Sequence, residues 1–429
     1  MKDVRVIKIN IGAPTAAQTL LRLEAGALWR RLVKLHKYCR RKQLSWPTQG
    51  QLEKHFKNRF SLHSQTIQAL IGKFIANIDS TRAKRKSGDK KARYPWRDKK
   101  KFQVVMWKVS AIKRQGNRLS LSNGKTGQKL QVKLPTNLPM GKIVAAELGF
   151  RELRITLSNE VVEPLSAGLN VVAGDMGVIH TTVMTDGVKS LGIVGRGLRS
   201  LIQGKNRKLA IYSELLSKTK KGSRRNRKLR IAKARMLAKY RQRVHNLLHH
   251  TANRMIDFCV EREAGTLVVG DITEMSCGAR QKKKGSRRTN QMNSGNPLGQ
   301  LYNYLAYKGR LKGVTLKMQN EAFSSQFCPV CGKCHKPTGR TYYCRHCGYI
   351  GVRDNVGATN QLNKYHHNGR MLENTFIPPD ALKYLRPVAL RQNVVVRLTV
   401  GTLLNTTLNP ALTADAVEVN PSVVLDFVA

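Results

Sequence analysis

The first hundred positions alternate between apolar and polar residues in a way that predicts one strand followed by helices. Residues 1–12 have the pattern of a strand that ends at Gly12. From Pro14 to about Lys42, apolar residues recur at intervals of three to seven, which predicts a helix. Similar spacing predicts further helices over about 48–59 and 63–86. We therefore expect a helical domain over 13–99.

The section that follows is predicted to be rich in strands. Phe102–Trp107 is a short apolar run, and Leu130, Val132 and Leu134 alternate with polar residues. Asn123-Gly124 between them is a hairpin turn signal. We expect residues 1–12 and 100–168 to form a β-rich domain, a small barrel or sandwich, with the helical domain inserted into it.

The second half of the chain predicts an α/β domain. Its predicted strands are 169–175, 179–185, 267–271 and 314–318. Two long helices are expected at 196–217 and 223–262, between the second and third strands. We assign residues 169–325 and 349–372 to this domain.

Two segments lack a pattern of buried structure. Residues 278–297 are polar, basic and glycine-rich, which predicts a flexible loop. Residues 398–429 contain no lysine or arginine, unlike the rest of the chain. We expect the tail, 373–429, to be poorly structured.

The charge of the chain indicates a polyanionic partner. Among 429 residues there are 78 lysines and arginines against 25 aspartates and glutamates, a formal net charge of +53. Such a charge repels itself unless nucleic acid or another polyanion neutralises it. No run of eighteen apolar residues and no signal-type apolar core is present, so we expect no membrane span and a cytoplasmic, nucleoid-associated protein.

The basic residues concentrate in one stretch that begins after the first predicted long helix and continues into the second. Across 218–243, 13 residues are lysine or arginine and none is acidic. The ordinary interpretation is a solvated face, but the unbroken sign favours a surface that follows phosphates. The candidates for nucleic-acid binding are Lys218, Lys220, Lys221, Arg224, Arg225, Arg227, Lys228 and Arg230.

Four cysteines predict a structural zinc site. They form two CxxC pairs separated by twelve residues, Cys328, Cys331, Cys344 and Cys347. Two knuckles of this kind close a tetrahedral thiolate site, which suits zinc and leaves no position for water. Cys334, His335 and His346 could compete as ligands, although exposed loop positions are the simpler interpretation. We assign 326–348 to a zinc ribbon.

Two aspartates are candidates for catalysis. Asp175 ends an apolar strand among small residues, and Asp354 begins a predicted helix just after the ribbon. Asp354 could equally be a helix cap, a role that does not exclude metal binding. In an RNase H-like arrangement, acids on such elements converge on one edge and hold two divalent ions that activate water for phosphodiester cleavage. Magnesium suits the hard carboxylate oxygens.

Several segments together resemble one family. LNVVAGDMGV, TLVVGDI, EAFSSQFCPVCG and YYCRHCGYIGVRDNVGATNQL are similar to TnpB (OrfB), a nuclease of insertion sequences related to Fanzor proteins and type V CRISPR effectors. The resemblance implies a wedge domain with a helical recognition insertion, then a RuvC domain with its ribbon. It also implies a guide RNA, a target DNA and a companion transposase encoded by the same element.

The third acid of the site departs from the family pattern. Many TnpB proteins have a glutamate where this chain has Gly270. Asp271, Glu274 and Glu321 are the candidates to replace it. Asp271 should point to the opposite face of its strand, and Glu274 lies in a loop. Glu321 ends a strand expected to run parallel to the strand before Asp271, at the same sheet edge as Asp175, so we predict that Glu321 is the third ligand.

Three functions compete at this point. RNA-guided DNA cleavage is the leading hypothesis. A guided DNA-binding regulator without nuclease activity is favoured by Gly270 and disfavoured by Asp175 and Asp354. A transposase would use the same fold, but a ribbon between the acids and the lack of an end-binding helix-turn-helix disfavour it.

Overall fold

The computed structural model describes most of the first 397 residues. The described ranges are 2–89, 91–96, 101–124, 129–136, 141–160, 164–271, 291, 295–370, 376–379, 381–387 and 394–397. The chain divides into two compact units, Met1–Val162 and Glu163–Ala429. The finer division into four domains stays a prediction.

The helices of the first unit begin at side chains that bond the free backbone groups of the first turn. They are α1 (Ala16–Arg41), α2 (Gln49–Phe56) and α3 (Ser64–Lys86). Thr15 and Gln18 form a reciprocal capping box at the start of α1, and Thr48 and Gln51 form another before α2. Such caps satisfy backbone N–H groups that have no partner inside the helix.

The strands of the first unit form two antiparallel sheets. The strands are β1 (Lys2–Asn10), β2 (Val105–Lys108), β3 (Ile112–Gln115), β4 (Arg118–Leu121), β5 (Leu130–Lys133), β6 (Lys142–Leu148) and β7 (Glu152–Glu160). One sheet has the order β1-β7-β6-β2 and the other β3-β4-β5. Buried side chains of the helices and of both sheets form one continuous core. Closure of these strands into a barrel stays a prediction.

The second unit is built on a seven-stranded sheet. Its strands are β8 (Asn170–Met176), β9 (His180–Thr185), β10 (Ser190–Val194), β11 (Ala264–Gly270), β12 (Thr315–Gln319), β15 (Ala381–Leu385) and β16 (Val394–Arg397), and their order is β12-β11-β8-β9-β10-β15-β16. The β8-β9-β10 strands are antiparallel, whereas β11 runs parallel to both β8 and β12. The carboxyl ends of β8, β11 and β12 therefore meet at one edge of the sheet.

Helices cover both faces of this sheet. They are α4 (Arg196–Ser217), α5 (Arg224–Glu261), α6 (Leu298–Arg310) and α7 (Arg353–His366). Val172 and Val269 pack against α4, α5 and α6 in one core. Ala173 and Val268 point the other way and pack against Leu362 of α7. Because side chains alternate along a strand, Asp175 and Gly270 lie on the α7 face.

A two-stranded hairpin leads directly into α7. It consists of β13 (Thr341–Tyr343) and β14 (Ile350–Val352), which pair antiparallel. The first residue of α7, Arg353, follows β14 without an intervening loop and donates its backbone N–H to the carbonyl of Arg340 at 3.0 Å. The position of α7 therefore depends on this hairpin.

The prediction of a poorly structured tail is wrong in part. Residues 381–385 form β15, which pairs parallel with β10, and 394–397 form β16 at the sheet edge. Leu382 is buried with Val183 and Ala358, so a short apolar pattern was enough to complete the sheet. Residues 398–429 lie outside the described residues, as do Glu274 and most of the predicted flexible loop 278–297.

A membrane-crossing helix needs about 20 predominantly apolar residues. Within the described ranges, none of the helices meets that requirement.

Candidate active site and cysteine cluster

Asp175 lies at the carboxyl end of the central strand β8, next to α7. Its partner strand β11 brings Val269 opposite Gly174. On the other side, α7 approaches so closely that a Cβ atom on Gly357 would lie 2.7 Å from Asp175 Oδ2. Because glycine has no side chain, residue 357 leaves room for the Asp175 carboxylate between the sheet and α7.

Glu321 lies in the space that a side chain on residue 270 would fill. The parallel register places Gly270 opposite Gln319, and Glu321 follows two residues later. A Cβ atom built on Gly270 would overlap Oε1, Cγ and Cδ of Glu321. Glu321 Oε1 is buried and has no hydrogen-bond partner among the described residues. The chain thus brings a glutamate carboxylate from β12 to the position beside the end of β11.

Asp354 lies in the first turn of α7 and is held by two basic side chains. His180 Nδ1, at the start of β9, lies 2.7 Å from Asp354 Oδ2. Arg340, directly before β13, donates to the same oxygen at 3.2 Å. The ring of Tyr384 packs against His180 with centroids 4.7 Å apart. Asp354 is therefore fixed through one oxygen, and its Oδ1 has no hydrogen-bond partner among the described residues.

The three carboxylates have different electrostatic environments. Burial, together with the charges of Asp354 and Glu321, raises the pKa of Asp175 to about 8. Burial and the charge of Asp271 raise the pKa of Glu321. Burial alone would raise the pKa of Asp354 too, but the hydrogen bond from His180 and the charge of Arg340 lower it overall. A cluster of like charges at a buried edge is typical of a functional site.

Two further residues border the acids. The Tyr302 hydroxyl of α6 donates to the carbonyl oxygen of Gly270, and its pKa is raised by burial and by the charges of Glu321, Asp271 and Asp175. Asp271 donates its backbone N–H to Gln319 at 2.7 Å. Asp271 follows the last residue of β11, so strand alternation predicts a side chain on the face opposite Asp175 and Gly270, yet its charge reaches Glu321 and raises the pKa of that carboxyl. Asp271 is therefore close to the acids but on the less favourable side.

The donor set fits magnesium, because carboxylate oxygens are its preferred protein ligands. The unpaired Glu321 Oε1 and the raised pKa of Asp175 both indicate that the protein alone does not stabilise charged carboxylates here, which a bound cation would do. The carboxylate oxygens of the three acids lie too far apart to share one metal ion in this structure. Among the described residues, only the four cysteines bring three or more ligand atoms close enough together to do so. Cation binding would therefore draw the carboxylates together.

The four predicted cysteines lie together and are positioned to bind a metal. The sulfurs of Cys328, Cys331, Cys344 and Cys347 all lie within 4.8 Å of one another. Gly332 and Gly348 adopt positive φ angles of 68° and 73° and donate their backbone N–H groups to the carbonyls of Cys328 and Cys344, both at 3.0 Å. These are the tight knuckles that the CxxC spacing predicts, and they need glycine because other residues are strained at such angles.

The environment of Cys344 favours the thiolate. Burial alone would raise its pKa, but backbone N–H groups of Cys347 and His346 donate to its sulfur, and the pKa falls to about 7. Cys334 is exposed, and His335 Nε2 lies 2.7 Å from the carbonyl of Tyr343, so neither joins the cluster. Four thiolates in this arrangement suit zinc.

We expect Cys344→Ser to remove the bound metal and to destabilise the second unit. Binding energy at such sites is folding energy, since the site does not exist in the unfolded chain. Metal analysis of the purified protein should find about one zinc per chain for the wild type and close to none for the variant. Cys334→Ser is the matched control and should keep its zinc. Well-folded wild-type protein with less than half an equivalent would contradict the assignment.

The predicted basic residues lie at the tip of a helical hairpin. Helices α4 and α5 pack together, and the turn between them carries Lys220 and Lys221. All eight basic residues from Lys218 to Arg230 that the sequence singled out are exposed. Buried Asn226 holds the turn, because its side chain donates to Thr219 at 2.8 Å and its backbone N–H donates to Ser223 at 3.2 Å. The tip is therefore an exposed, cationic surface with a hydrogen-bonded turn.

Sequence reasoning missed His180, Arg340 and Tyr302 as parts of the site. His180 and Asp354 are 174 residues apart in the chain, and no local pattern joins them. The one available signal was position. His180 begins the strand after Asp175, and Arg340 precedes the hairpin that leads to Asp354.

Comparison with known proteins adds family relationships. A family model described as "Probable transposase", OrfB of IS605, matches residues 154–276. A model described as "Cas12f1-like, TNB domain" matches residues 299–361. A TnpB-like protein of Methanocaldococcus jannaschii is 25% identical over 146 residues, which are 34% of this chain and 51% of that protein. The chain thus spans about half the length of this curated relative.

Two solved structures are similar to this chain over most of its length. The structure described as the mini-RNA-guided endonuclease CRISPR-Cas_phi3 has a TM-score of 0.50 and 11% identity, covering 87% of this chain and 94% of that one. A structure of CasPhi-2 (Cas12j) bound to crRNA and phosphorothioate-DNA has a TM-score of 0.43 and 8% identity, covering 87% of this chain and 93% of that one. The first of these places the chain among mixed α/β multidomain folds that resemble Cas12 effectors.

Proposed function

The chain is a TnpB-type protein, and we propose that it is an RNA-guided DNA endonuclease of an insertion sequence. We propose further that Asp175, Glu321 and Asp354 hold two magnesium ions in a RuvC-like site and that the cysteine cluster holds zinc. The order of elements supports this proposal. A strand that ends in an acid, an antiparallel pair, long helices, two parallel strands, a ribbon and an acid-bearing helix follow one another.

One observation carries the proposal. The Glu321 carboxylate occupies the volume where a residue-270 side chain would lie, beside Asp175. A chain that had lost its nuclease site by erosion would have no reason to keep a buried, unpaired glutamate there, because an unpaired buried carboxyl oxygen is costly. The position of Glu321 therefore favours a working third ligand over the regulator.

Each residue at this edge of the sheet would have a separate role in binding the cations or in positioning the residues that bind them. Asp175 and Glu321 would bind cations from the sheet, and Asp354 would bind from α7 through Oδ1 while His180 and Arg340 hold Oδ2. When bound, magnesium would supply the charge that activates a water and stabilises the leaving oxygen of a phosphodiester. Tyr302 fixes the end of β11 by its hydrogen bond to Gly270.

The partners proposed are a guide RNA and a target DNA. A net charge of +53 needs long stretches of polyanion, and the cationic hairpin tip offers phosphate contacts without base readout. Backbone contacts of this kind suit a guide–target duplex, in which base pairing reads the sequence. A companion transposase of the same element and association with the nucleoid remain expectations of the family resemblance.

We expect the combined change of Arg224, Arg225 and Arg227 to alanine to weaken nucleic-acid binding and to flatten its salt dependence. Each lost phosphate contact lowers the slope of log affinity against log salt by roughly 0.7–0.9, so the slope should fall by about 2 to 2.7. The measurement is a binding titration with guide RNA at several salt concentrations.

The matched control keeps the charge. Changing the same three residues to lysine should preserve most of the slope, because a phosphate accepts a lysine ammonium in place of a guanidinium. An unchanged slope in the alanine variant would mean that the hairpin tip is only a solvated face.

The proposed function is tested by the RNA that co-purifies and by the products with DNA. One discrete RNA species, and magnesium-dependent cutting of DNA that matches it, is the expected result. Guided binding without cutting would favour the regulator. Joined DNA strands as product would favour the transposase named in the family description. Bulk cellular RNA with no discrete species would contradict guidance altogether.

A further inference from the structure

Two histidines of α5 place their ring nitrogens side by side, in a helix that covers the face of the sheet opposite Asp175. His245 and His249 are four residues apart, so they lie on the same side of the helix, one turn from each other. Their Nε2 atoms are 3.3 Å apart. Two nitrogens that bind one ion at 2.0–2.1 Å with a tetrahedral angle between them are also about 3.3 Å apart. The two rings therefore already have the spacing of a chelating pair.

Aromatic packing from α6 holds both rings in this orientation. The ring of Tyr304 stacks on His249 with centroids 4.1 Å apart and an interplanar angle of 17°. The same ring meets His245 edge-on, with centroids 5.5 Å apart. Gln300 donates a hydrogen bond to the Tyr304 hydroxyl and so restrains that ring in turn. An ion would find both imidazoles already oriented, which lowers the entropic cost of binding.

The other ring nitrogen of His249 has a partner that suits a metal ligand. His249 Nδ1 lies 3.3 Å from the hydroxyl of Tyr307 on α6. In the tautomer with its proton on Nδ1, His249 donates to the Tyr307 oxygen and keeps the Nε2 lone pair for a metal. Hydrogen bonds of this kind orient most metal-binding histidines. Burial lowers the pKa of His249 to about 4, so the ring is neutral at physiological pH, as a ligand must be.

The donors of this pair select one class of ion. Imidazole nitrogen suits zinc, copper and nickel, whereas magnesium prefers oxygen. Both histidines are partly exposed, so an ion reaches them without separation of the helices. Two protein ligands leave the remaining positions of the ion to water. Binding here is therefore expected to be weaker than at four thiolates, and the ion would exchange during purification.

We propose that His245 and His249 form a further metal site, which binds a divalent transition-metal ion through both Nε2 atoms. The site is separate from the cysteine cluster and from Asp175, which both lie next to α7. The bound ion would join two successive turns of α5 and stabilise the folded chain, because an ion that binds only the folded arrangement shifts the folding equilibrium towards it. The assignment does not depend on the proposed nuclease activity.

The test is equilibrium dialysis of nickel(II) against the full, untagged chain with its zinc and its co-purified RNA, in excess magnesium. Magnesium occupies phosphate and carboxylate oxygens, whereas imidazole favours nickel. The wild type should bind about one nickel ion more per chain than His245→Ala or His249→Ala, each of which should weaken binding at this site by roughly tenfold or more. Tyr307→Phe keeps both ligands but removes the hydrogen bond to Nδ1, and it should weaken binding by about tenfold. His250→Ala removes an exposed histidine of the same helix and should bind nickel as the wild type does.

Unfolding measurements separate the loss of a ligand from the loss of the fold. Nickel should raise the unfolding midpoint of the wild type and of His250→Ala, and leave that of His245→Ala and His249→Ala unchanged, while every variant keeps its zinc. Phenylalanine in place of either histidine keeps a ring against Tyr304 without a ligand, and it repeats the test if an alanine variant does not fold. Equal nickel binding by the wild type and by the folded histidine variants would overturn the assignment. A loss of the same size in His250→Ala would overturn it as well.

Discussion

Asp175→Asn is expected to abolish DNA cutting and, at the same time, to make the magnesium-free protein more stable. The loss of cutting should be on the order of 10³-fold, as for removal of an essential group in a preorganised site. Because burial and two neighbouring carboxylates raise the pKa of Asp175 from 3.8 to about 8, the folded protein holds a proton that the unfolded chain releases. Between these two values, stability must fall as the pH rises. Asparagine carries no charge and removes this cost, a gain of about 1–3 kcal/mol.

Asp354→Asn is the control for the stability measurement, because its expected effect has the opposite sign. Asp354 has a lowered pKa, so its charged form stabilises the folded protein, and Asp354→Asn should be destabilising although it also abolishes cutting. Chemical unfolding at pH 5 and pH 8, in magnesium-free buffer without chelator, distinguishes the two. The gain from Asp175→Asn should be larger at pH 8. Equal losses of guided binding in both variants would mean that these aspartates are structural.

DNA cutting is expected to be lost when the glutamate at position 321 is removed and regained when a glutamate is placed at position 270 instead. Glu321→Gln should lower the cutting rate on the order of 10²-fold or more, because an amide is a poor ligand for magnesium. Gly270→Glu alone should also impair the protein, since a side chain there collides with the Glu321 carboxylate. The double variant Gly270→Glu with Glu321→Gly replaces one glutamate by another in the same space and should regain most of the activity.

The controls for this exchange are close in sequence. Asp271→Asn should cut nearly as well as the wild type, because its side chain points to the other face of the strand. Guided cleavage with magnesium and a binding assay on each variant make the comparison. Full activity of Glu321→Gln beside an inactive Asp271→Asn would reverse the assignment, and failure of the double variant would mean that the two positions are not equivalent.

The placement of two predicted acids follows from strand geometry. Asp175 lies near the end of an apolar strand, and Glu321 lies near it because parallel strands place their carboxyl ends together. Their roles as metal ligands stay a prediction. Cysteine spacing predicted the cluster, since each CxxC knuckle is a local structure. Whether these residues hold magnesium and zinc stays a prediction.

Other parts of the site depend on long-range contacts that no local pattern contains. His180 and Arg340 reach Asp354 from separate elements, and the pairing of β15 with β10 joins residues almost two hundred positions apart. The strand β15 is five residues long, too short for periodicity to distinguish it from a loop. Only the completed sheet makes Leu382 a core residue.

The junction between the cysteine cluster and α7 affects how chelator experiments must be interpreted. Asn360 of α7 donates to the carbonyl of Phe327, next to Cys328, at 2.8 Å, and Arg340 of the same region contacts Asp354. In the proposed arrangement, loss of zinc from the cysteine cluster would displace Asp354 even if the proposed magnesium stayed bound. Inhibition by a general chelator would therefore not by itself identify a magnesium enzyme, because the chelator would remove both metals. Adding back zinc and magnesium separately would show whether cutting was lost because Asp354 was displaced or because the proposed catalytic ions were removed.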